Sequence, residues 1–159
     1  MDFNRYPDCL AKKPIAAFSE LYGISPDLVT AGNGSDELIS VITSCFFESG
    51  DTLVNVSHDF SMYGFYAQLY ELNVETYQKN ADLTIDADKL IAFCKEKNAR
   101  GLISSNPCNP TSVGLDRDSV RKIITSLEDT LVILDEAYMD FWDQSLLDEV
   151  DKYSNLLIL

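Results

Sequence analysis

Histidine occurs once in the 159 residues, at His58, and the four cysteines, Cys9, Cys45, Cys94 and Cys108, include no C-x-x-C pair. A zinc site needs several such ligands at short spacing, so none is expected, and reduced thiols in a cytosolic protein are the simplest reading of the cysteines. Basic residues are scarce as well: 12 Lys and Arg stand against 26 Asp and Glu, for a formal net charge of -14. That balance opposes nucleic-acid phosphates and anionic lipid unless a cationic patch is concentrated somewhere. The densest basic stretch, Lys95 to Arg100, also holds Glu96. No apolar run approaches the roughly 20 residues of a membrane span, and Met1-Asp2-Phe3-Asn4-Arg5 lacks the apolar core of a signal peptide. Internal repeats, low-complexity tracts and linkers rich in Gly, Pro or Ser are also missing, so no domain boundary is expected inside the chain. The expectation is a cytoplasmic protein that binds neither nucleic acid nor membrane.

What is present is apolar substance: 46% of residues are hydrophobic and 11% aromatic. A chain of this length buries roughly 70% of its unfolded surface, enough for one domain without disulfides or metals. Short apolar runs alternate with segments of helical period, which predicts an α/β fold, a mostly parallel sheet sandwiched by helices. Expected strands are Leu28 to Ala31, Thr52 to Val56, Val74 to Tyr77, Gly101 to Ser105, Leu131 to Leu134 and Leu156 to Leu159. Val120, Ile123, Ile124 and Leu127 form one helical face behind a cap at Asp116. Ala87, Leu90, Ile91 and Cys94 do the same behind Asp86, and Leu38, Ile39, Ile42, Cys45 and Phe46 follow Gly34-Ser35. The last strand stops with no turn or cap, so a continuation of the chain is expected.

Three strand-to-helix segments carry candidate chemistry. Gly32-Asn33-Gly34-Ser35-Asp36-Glu37 opens a helix with free amides and a hydroxyl, which suits a phosphate, although an ordinary capped turn is the commoner use of such a segment. Leu131-Val132-Ile133-Leu134-Asp135-Glu136-Ala137-Tyr138 sets two carboxylates at the carboxyl edge of the sheet, where open α/β folds place ligands. Asp135 there could bind a metal-nucleotide, meet a cationic ring nitrogen, or cap a turn. The first requires a phosphate loop of the form G-x-x-x-x-G-K-S/T, and none occurs. Ser105-Asn106-Pro107-Cys108-Asn109-Pro110-Thr111 holds two Asn-Pro pairs that fix a non-helical loop, able to aim the Asn109 amide at a ligand or simply to turn the chain. Phe60, Tyr63, Phe65 and Tyr66 offer an aromatic face for a planar ligand or a piece of core. His58 reads as a turn residue.

Together and in this order, Asn4-Arg5-Tyr6-Pro7, Gly32 to Glu37, Phe60-Ser61-Met62-Tyr63, Asn106 to Thr111 and Asp135-Glu136-Ala137-Tyr138 resemble the fold-type I, pyridoxal-phosphate-dependent aminotransferases of class I and II, most closely the histidinol-phosphate aminotransferases. The resemblance implies that residues 1–159 form part of a cofactor-binding large domain, from the end of an N-terminal arm through the strand before the Schiff-base lysine, with the small domain absent. It implies that Ser35 and Asp36 contact the phosphate of pyridoxal 5'-phosphate and that Phe60 stacks on its ring. Asn109 and Tyr138 would hydrogen-bond the phenolic oxygen, Asp135 would pair with the ring nitrogen, and Tyr6 would reach the cofactor of the partner subunit in a homodimer. The implied substrates are an amino donor, such as histidinol phosphate, and 2-oxoglutarate; a phosphorylated substrate would meet repulsion from the net charge. A threonine-phosphate decarboxylase shares most of these motifs, and a non-catalytic domain is the other reading. Two departures stand out. The Asn-Pro-Thr-Gly pattern reads Asn109-Pro110-Thr111-Ser112-Val113-Gly114, which suggests a displaced glycine turn. None of Lys12, Lys13, Lys79, Lys89, Lys95, Lys97, Lys122 and Lys152 is expected near the motifs, so the anchoring lysine is expected beyond Leu159.

Overall fold

The computed structural model describes residues 6–159, so Asn4 and Arg5 of the first motif, and the rest of Met1 to Arg5, lie outside the described residues. Five helices, α1 (Lys12–Tyr22), α2 (Ser35–Phe46), α3 (Met62–Leu69), α4 (Ala87–Glu96) and α5 (Arg117–Ser126), accompany five strands. The strands are β1 (Thr52–Val56), β2 (Asn73–Tyr77), β3 (Gly101–Ser105), β4 (Leu131–Asp135) and β5 (Leu156–Ile158), all parallel, in the order β2-β1-β3-β4-β5.

The two-residue period of the strands builds the layers. Val54, Val56, Leu102, Val132, Leu134 and Leu156 face one core with Leu90, Ile91 and Cys94 of α4 and Val120, Ile123 and Ile124 of α5. Their alternates Leu53, Ile103 and Ile133 face the other with Ile39 of α2 and Tyr63 and Ala67 of α3. The sheet is therefore covered on both sides, which is why its strands read as nearly unbroken apolar runs. Desolvation in the first core pushes the Cys94 thiol up to about 12, so it packs as a small hydrophobe. Helix α4 starts at Asp86, whose carboxylate accepts from the Lys89 amide at 3.1 Å, and α5 at Asp116, which accepts from the Ser119 amide at 2.7 Å.

Two expectations about elements need correction. Leu28 to Ala31 is not a strand: Pro26–Leu28 forms one 3-10 turn, nucleated by Ser25 Oγ accepting from the Asp27 amide, and the chain then runs extended without a sheet partner. Leu28 stays 53% exposed, so the apolar run there has no core to enter. Helix α1 was not anticipated: Ala11 at its cap position takes a left-handed conformation and has no side-chain acceptor, and the acceptor for the first helical amide, Lys12 N, is Asp8 Oδ2 at 3.1 Å, outside the usual cap position.

Strand order reverses direction at β1. From there one connection leads outward to β2, and the rest of the chain moves the opposite way through β3, β4 and β5. The helices of the two halves diverge at such a point and leave a crevice at the carboxyl ends of β1 and β3.

Candidate functional site

The loops at the carboxyl ends of β1, β3 and β4 meet at this crevice. Asp59, in the loop after β1, bridges to the end of β3: one oxygen accepts from Ser104 Oγ and the Ser105 amide, both at 3.1 Å, and the other from Ser105 Oγ at 2.5 Å and the Phe60 amide at 2.8 Å. His58, with φ of 54°, makes the turn that brings Asp59 there, in keeping with its reading as a turn residue.

At the end of β4 the Asp135 side chain is 6% exposed. Its Oδ2 accepts from the Tyr63 hydroxyl at 2.8 Å and its Oδ1 from the Ala137 amide at 3.0 Å. Both structural and ligand roles assigned to this position in the sequence are thus compatible with what is seen, since the Ala137 bond is a turn of the Asx type. Tyr63 itself is 1% exposed. Burial first, then the charges of Asp135 and Asp59, push its phenol far above the ordinary range, so it remains a proton donor.

The neighbouring Glu136 points elsewhere. It is 2% exposed, accepts from Ser145 Oγ at 2.5 Å through Oε2, and leaves Oε1 without a hydrogen-bond partner. Desolvation raises its pKa, opposed by the Ser145 bond.

Asn109 Nδ2 donates to the Tyr138 hydroxyl at 3.3 Å, and both residues line a cavity of about 260 Å³ with Cys108, Pro110, Phe141 and Trp142. The fixed shape of this loop comes from Asn106. Buried at 3% exposure, it accepts from the Leu115 amide at 2.7 Å and donates to the Leu115 carbonyl at 3.3 Å, while its own amide donates to the Asp135 carbonyl at 2.8 Å. Both Asn-Pro peptide bonds are cis. The glycine turn is not displaced, contrary to expectation: Ser112 itself takes the left-handed φ of 59° after Thr111, and its amide donates to the Cys108 carbonyl at 2.7 Å. Gly114 is required for another reason, since a Cβ there would lie 2.8 Å from the Trp142 ring and 2.9 Å from Asn106 Oδ1.

Ser35 and Asp36 occupy the first turn of α2, whose amides no side chain caps; Gly34 precedes them with φ of 86°. Glu37 turns back to accept from the Asn33 amide and from Asn33 Nδ2, bonds that lower its pKa. Phe60 is half-buried, its ring edge-on to Tyr63 at 5.5 Å. Asp135, Tyr63 and Phe60 are thus one group, Asn109 and Tyr138 a second on the adjoining loops, and Ser35 and Asp36 a third that no hydrogen bond ties to the others. Tyr6 stands fully exposed. Asp59, the loop-holding role of Asn106 and the Tyr63 hydroxyl escaped the reading of the sequence, as their partners lie nine to 72 residues away. One lysine was misplaced: Lys79, just past β2, brings Nζ to 3.0 Å from Cys108 Sγ, because the chain beyond β2 folds back over the loop after β1 and its amide donates to Ser57 Oγ at 2.9 Å.

The profile of aminotransferase class I and II matches residues 1–159. The chain belongs to that family. The histidinol-phosphate aminotransferases of Clostridium kluyveri and Pyrococcus furiosus are 38% and 35% identical to it over its whole length, which is 45% of theirs. Among solved structures, the histidinol-phosphate aminotransferase of Sinorhizobium meliloti in complex with pyridoxal-5'-phosphate superposes with a TM-score of 0.90 at 24% identity over 99% of this chain and 44% of that one. L-threonine-O-3-phosphate decarboxylase from Porphyromonas gingivalis gives 0.79 at 20% identity, covering 98% and 45%. At those identities the superpositions establish the shared α/β/α fold. The chain spans somewhat less than half the length of the curated relatives it matches. Among the described residues, no helix is long and apolar enough to cross a membrane.

Proposed function

We propose that this chain supplies the cofactor-contacting part of a cytoplasmic, pyridoxal-phosphate-dependent aminotransferase that exchanges an amino group between an amino acid, or a phosphorylated amino alcohol such as histidinol phosphate, and 2-oxoglutarate. One observation carries the reading. Asp135 is a buried carboxylate beside the switch-point crevice, it accepts one hydrogen bond at each oxygen, and among the described residues no cation pairs with it. A buried charge left uncompensated is costly, so the position calls for a cationic donor from a ligand. A protonated pyridine nitrogen supplies such a donor, and each oxygen of Asp135 retains a lone pair to receive it.

The rest of the donor set suits the same molecule. The uncapped first turn of α2, with the Ser35 hydroxyl, offers amides to a phosphate dianion. Asp36 contributes through its backbone amide, since its carboxylate would repel that charge. Phe60 offers a half-buried ring face for stacking, and the Asn109 amide and Tyr138 hydroxyl offer donors to a phenolate oxygen. Pyridoxal phosphate, when bound, supplies a ring that withdraws the electron pair left as the α-proton of an amino acid departs. What Asp135 contributes is the negative charge that holds the ring nitrogen in its protonated state. Lys79 is engaged with Cys108, and the covalent anchor is assigned to a lysine outside residues 1–159. Tyr6, free of the protomer, is assigned to the partner subunit's cofactor in a homodimer.

The test is amino transfer by a polypeptide that carries this segment at the length of its relatives. Glutamate should form from 2-oxoglutarate when histidinol phosphate is the donor. Release of carbon dioxide from phosphothreonine without glutamate formation would replace the aminotransferase with the decarboxylase.

A further inference from the structure

Tyr63 is the most buried polar side chain at the crevice, and it is not a surface on which a ring could stack. Its hydroxyl reaches Asp135 Oδ2 at 2.8 Å from an element 72 residues earlier in the sequence. A carboxylate has no proton to give, so the phenol is the donor. We propose that Tyr63 is the positioning residue that keeps Asp135 ionised and aimed, so that the proton shared between Asp135 and a bound pyridine ring stays on the ring nitrogen. This rests on the assignment of Asp135 to the ring nitrogen given above.

The argument is one of competition for a proton. A hydrogen bond donated to a carboxylate favours its charged form over its neutral form. When Asp135 faces a protonated pyridine, the proton either remains on nitrogen beside a carboxylate or moves to oxygen and leaves both groups neutral. The donor from Tyr63 stabilises the first arrangement more than the second, as does the Ala137 amide on Oδ1.

The donor is dependable because the surroundings forbid the phenol to ionise. It is buried, and the negative charges of Asp135 on β4 and of Asp59 in the loop ahead of α3 both act on it. Asp59 is in turn fixed to Ser104 and Ser105 of β3. The ring of Tyr63 packs in the core with Ile39, Leu53 and Ile103, which removes its rotational freedom. The hydroxyl is therefore held by its bond to Asp135, and the ring by the core, before any ligand arrives.

Pyridoxamine 5'-phosphate labelled with 15N in the ring tests this without turnover, since its 15N resonance reports the proton on nitrogen directly. Bound to the parent protein, the ring should remain protonated well above the pH at which the free compound loses that proton. In Tyr63→Phe the bound ring should deprotonate about one pH unit lower than in the parent, the size expected for loss of one hydrogen bond to a charged group. An unchanged titration in Tyr63→Phe, with Asp135→Asn lowering it, would overturn the role of Tyr63 and leave that of Asp135 standing. A titration that Asp135→Asn does not alter, or failure of the parent to bind the probe, would overturn both. Should Tyr63→Phe not fold, 3-fluorotyrosine at position 63 preserves the packing and donates more strongly. The titration should then move upward, and no movement would refute the proposal.

Discussion

Buried carboxylates in this protein differ in whether they are paired, and their pH dependences run in opposite directions. Glu149 lies between two guanidinium groups: Arg117 Nη2 at 2.8 Å and Arg121 Nη2 at 2.6 Å from Oε1. Their hydrogen bonds hold its carboxyl down at about 2, from an ordinary 4.5. The folded state thus binds this proton more weakly than the unfolded chain, and the stability that ionised Glu149 contributes is present above pH 4.5 and lost as pH falls towards 2. Glu149→Gln should flatten the acid limb of a plot of Tm against pH in that window, and an unaltered limb would contradict the pairing. For Glu136 the sign reverses. Burial raises its pKa, so its contribution is complete below about 4.5 and declines as pH rises through the raised folded value. Glu136→Gln cannot ionise and retains an acceptor for Ser145, so its Tm at pH 8 should exceed that of the parent; a lower Tm would show that the ionised form is the one the fold requires.

At the scale of elements, capping and periodicity decide what forms. At the start of α5, a helix that closes one side of the sheet, the Asp116 carboxylate accepts from the Ser119 amide at 2.7 Å and Gln144 Oε1 accepts from the Arg117 amide at 3.3 Å. Asp116→Ala should therefore cost about 1 kcal/mol in urea unfolding, and a loss below a few tenths would mean that tertiary packing alone holds the helix. The caps at Asp86 and Asp116 were legible in the sequence because a cap and its helix are neighbours. So were five of the six expected strands, whose apolar runs are the direct consequence of helices on both faces. Helix α1 and the turn at Pro26–Leu28 were not, since the one has an alanine at its cap position, with the acceptor for its first amide at Asp8, and the other copies the composition of a strand without a partner to pair with. The same division holds at the site. Asp135 and Asn109 stood out as candidates from their places after strands together with the family resemblance, whereas the link from Tyr63 to Asp135 and from Asp59 to Ser105 exists only once the sheet order has been set.

For the molecule as a whole, apolar surface and the switch-point crevice are the features that reach beyond the protomer. Val41 and Phe46 of α2 and Phe65 and Leu69 of α3 are each about half exposed, and α2 and α3 pack side by side. Scattered apolar residues are ordinary on a surface, but contiguous ones mark contact sites. The homodimer assignment predicts that a polypeptide carrying this segment at the length of its relatives sediments at micromolar concentration with twice its own chain mass, and that Phe65→Glu shifts the equilibrium towards monomer. A monomer throughout would separate Tyr6 from any shared site. The central claim, that Asp135 awaits the protonated nitrogen of a pyridine ring, is tested most directly by fluorescence titration of the parent and of Asp135→Asn with pyridoxamine 5'-phosphate and with its analogue carrying carbon in place of the ring nitrogen. Asn at 135 should weaken the natural ligand by roughly 10- to 100-fold, the value of a charge-assisted hydrogen bond, and leave the carbon analogue unaffected. Equal affinities of the parent and Asp135→Asn for the natural ligand would contradict the account.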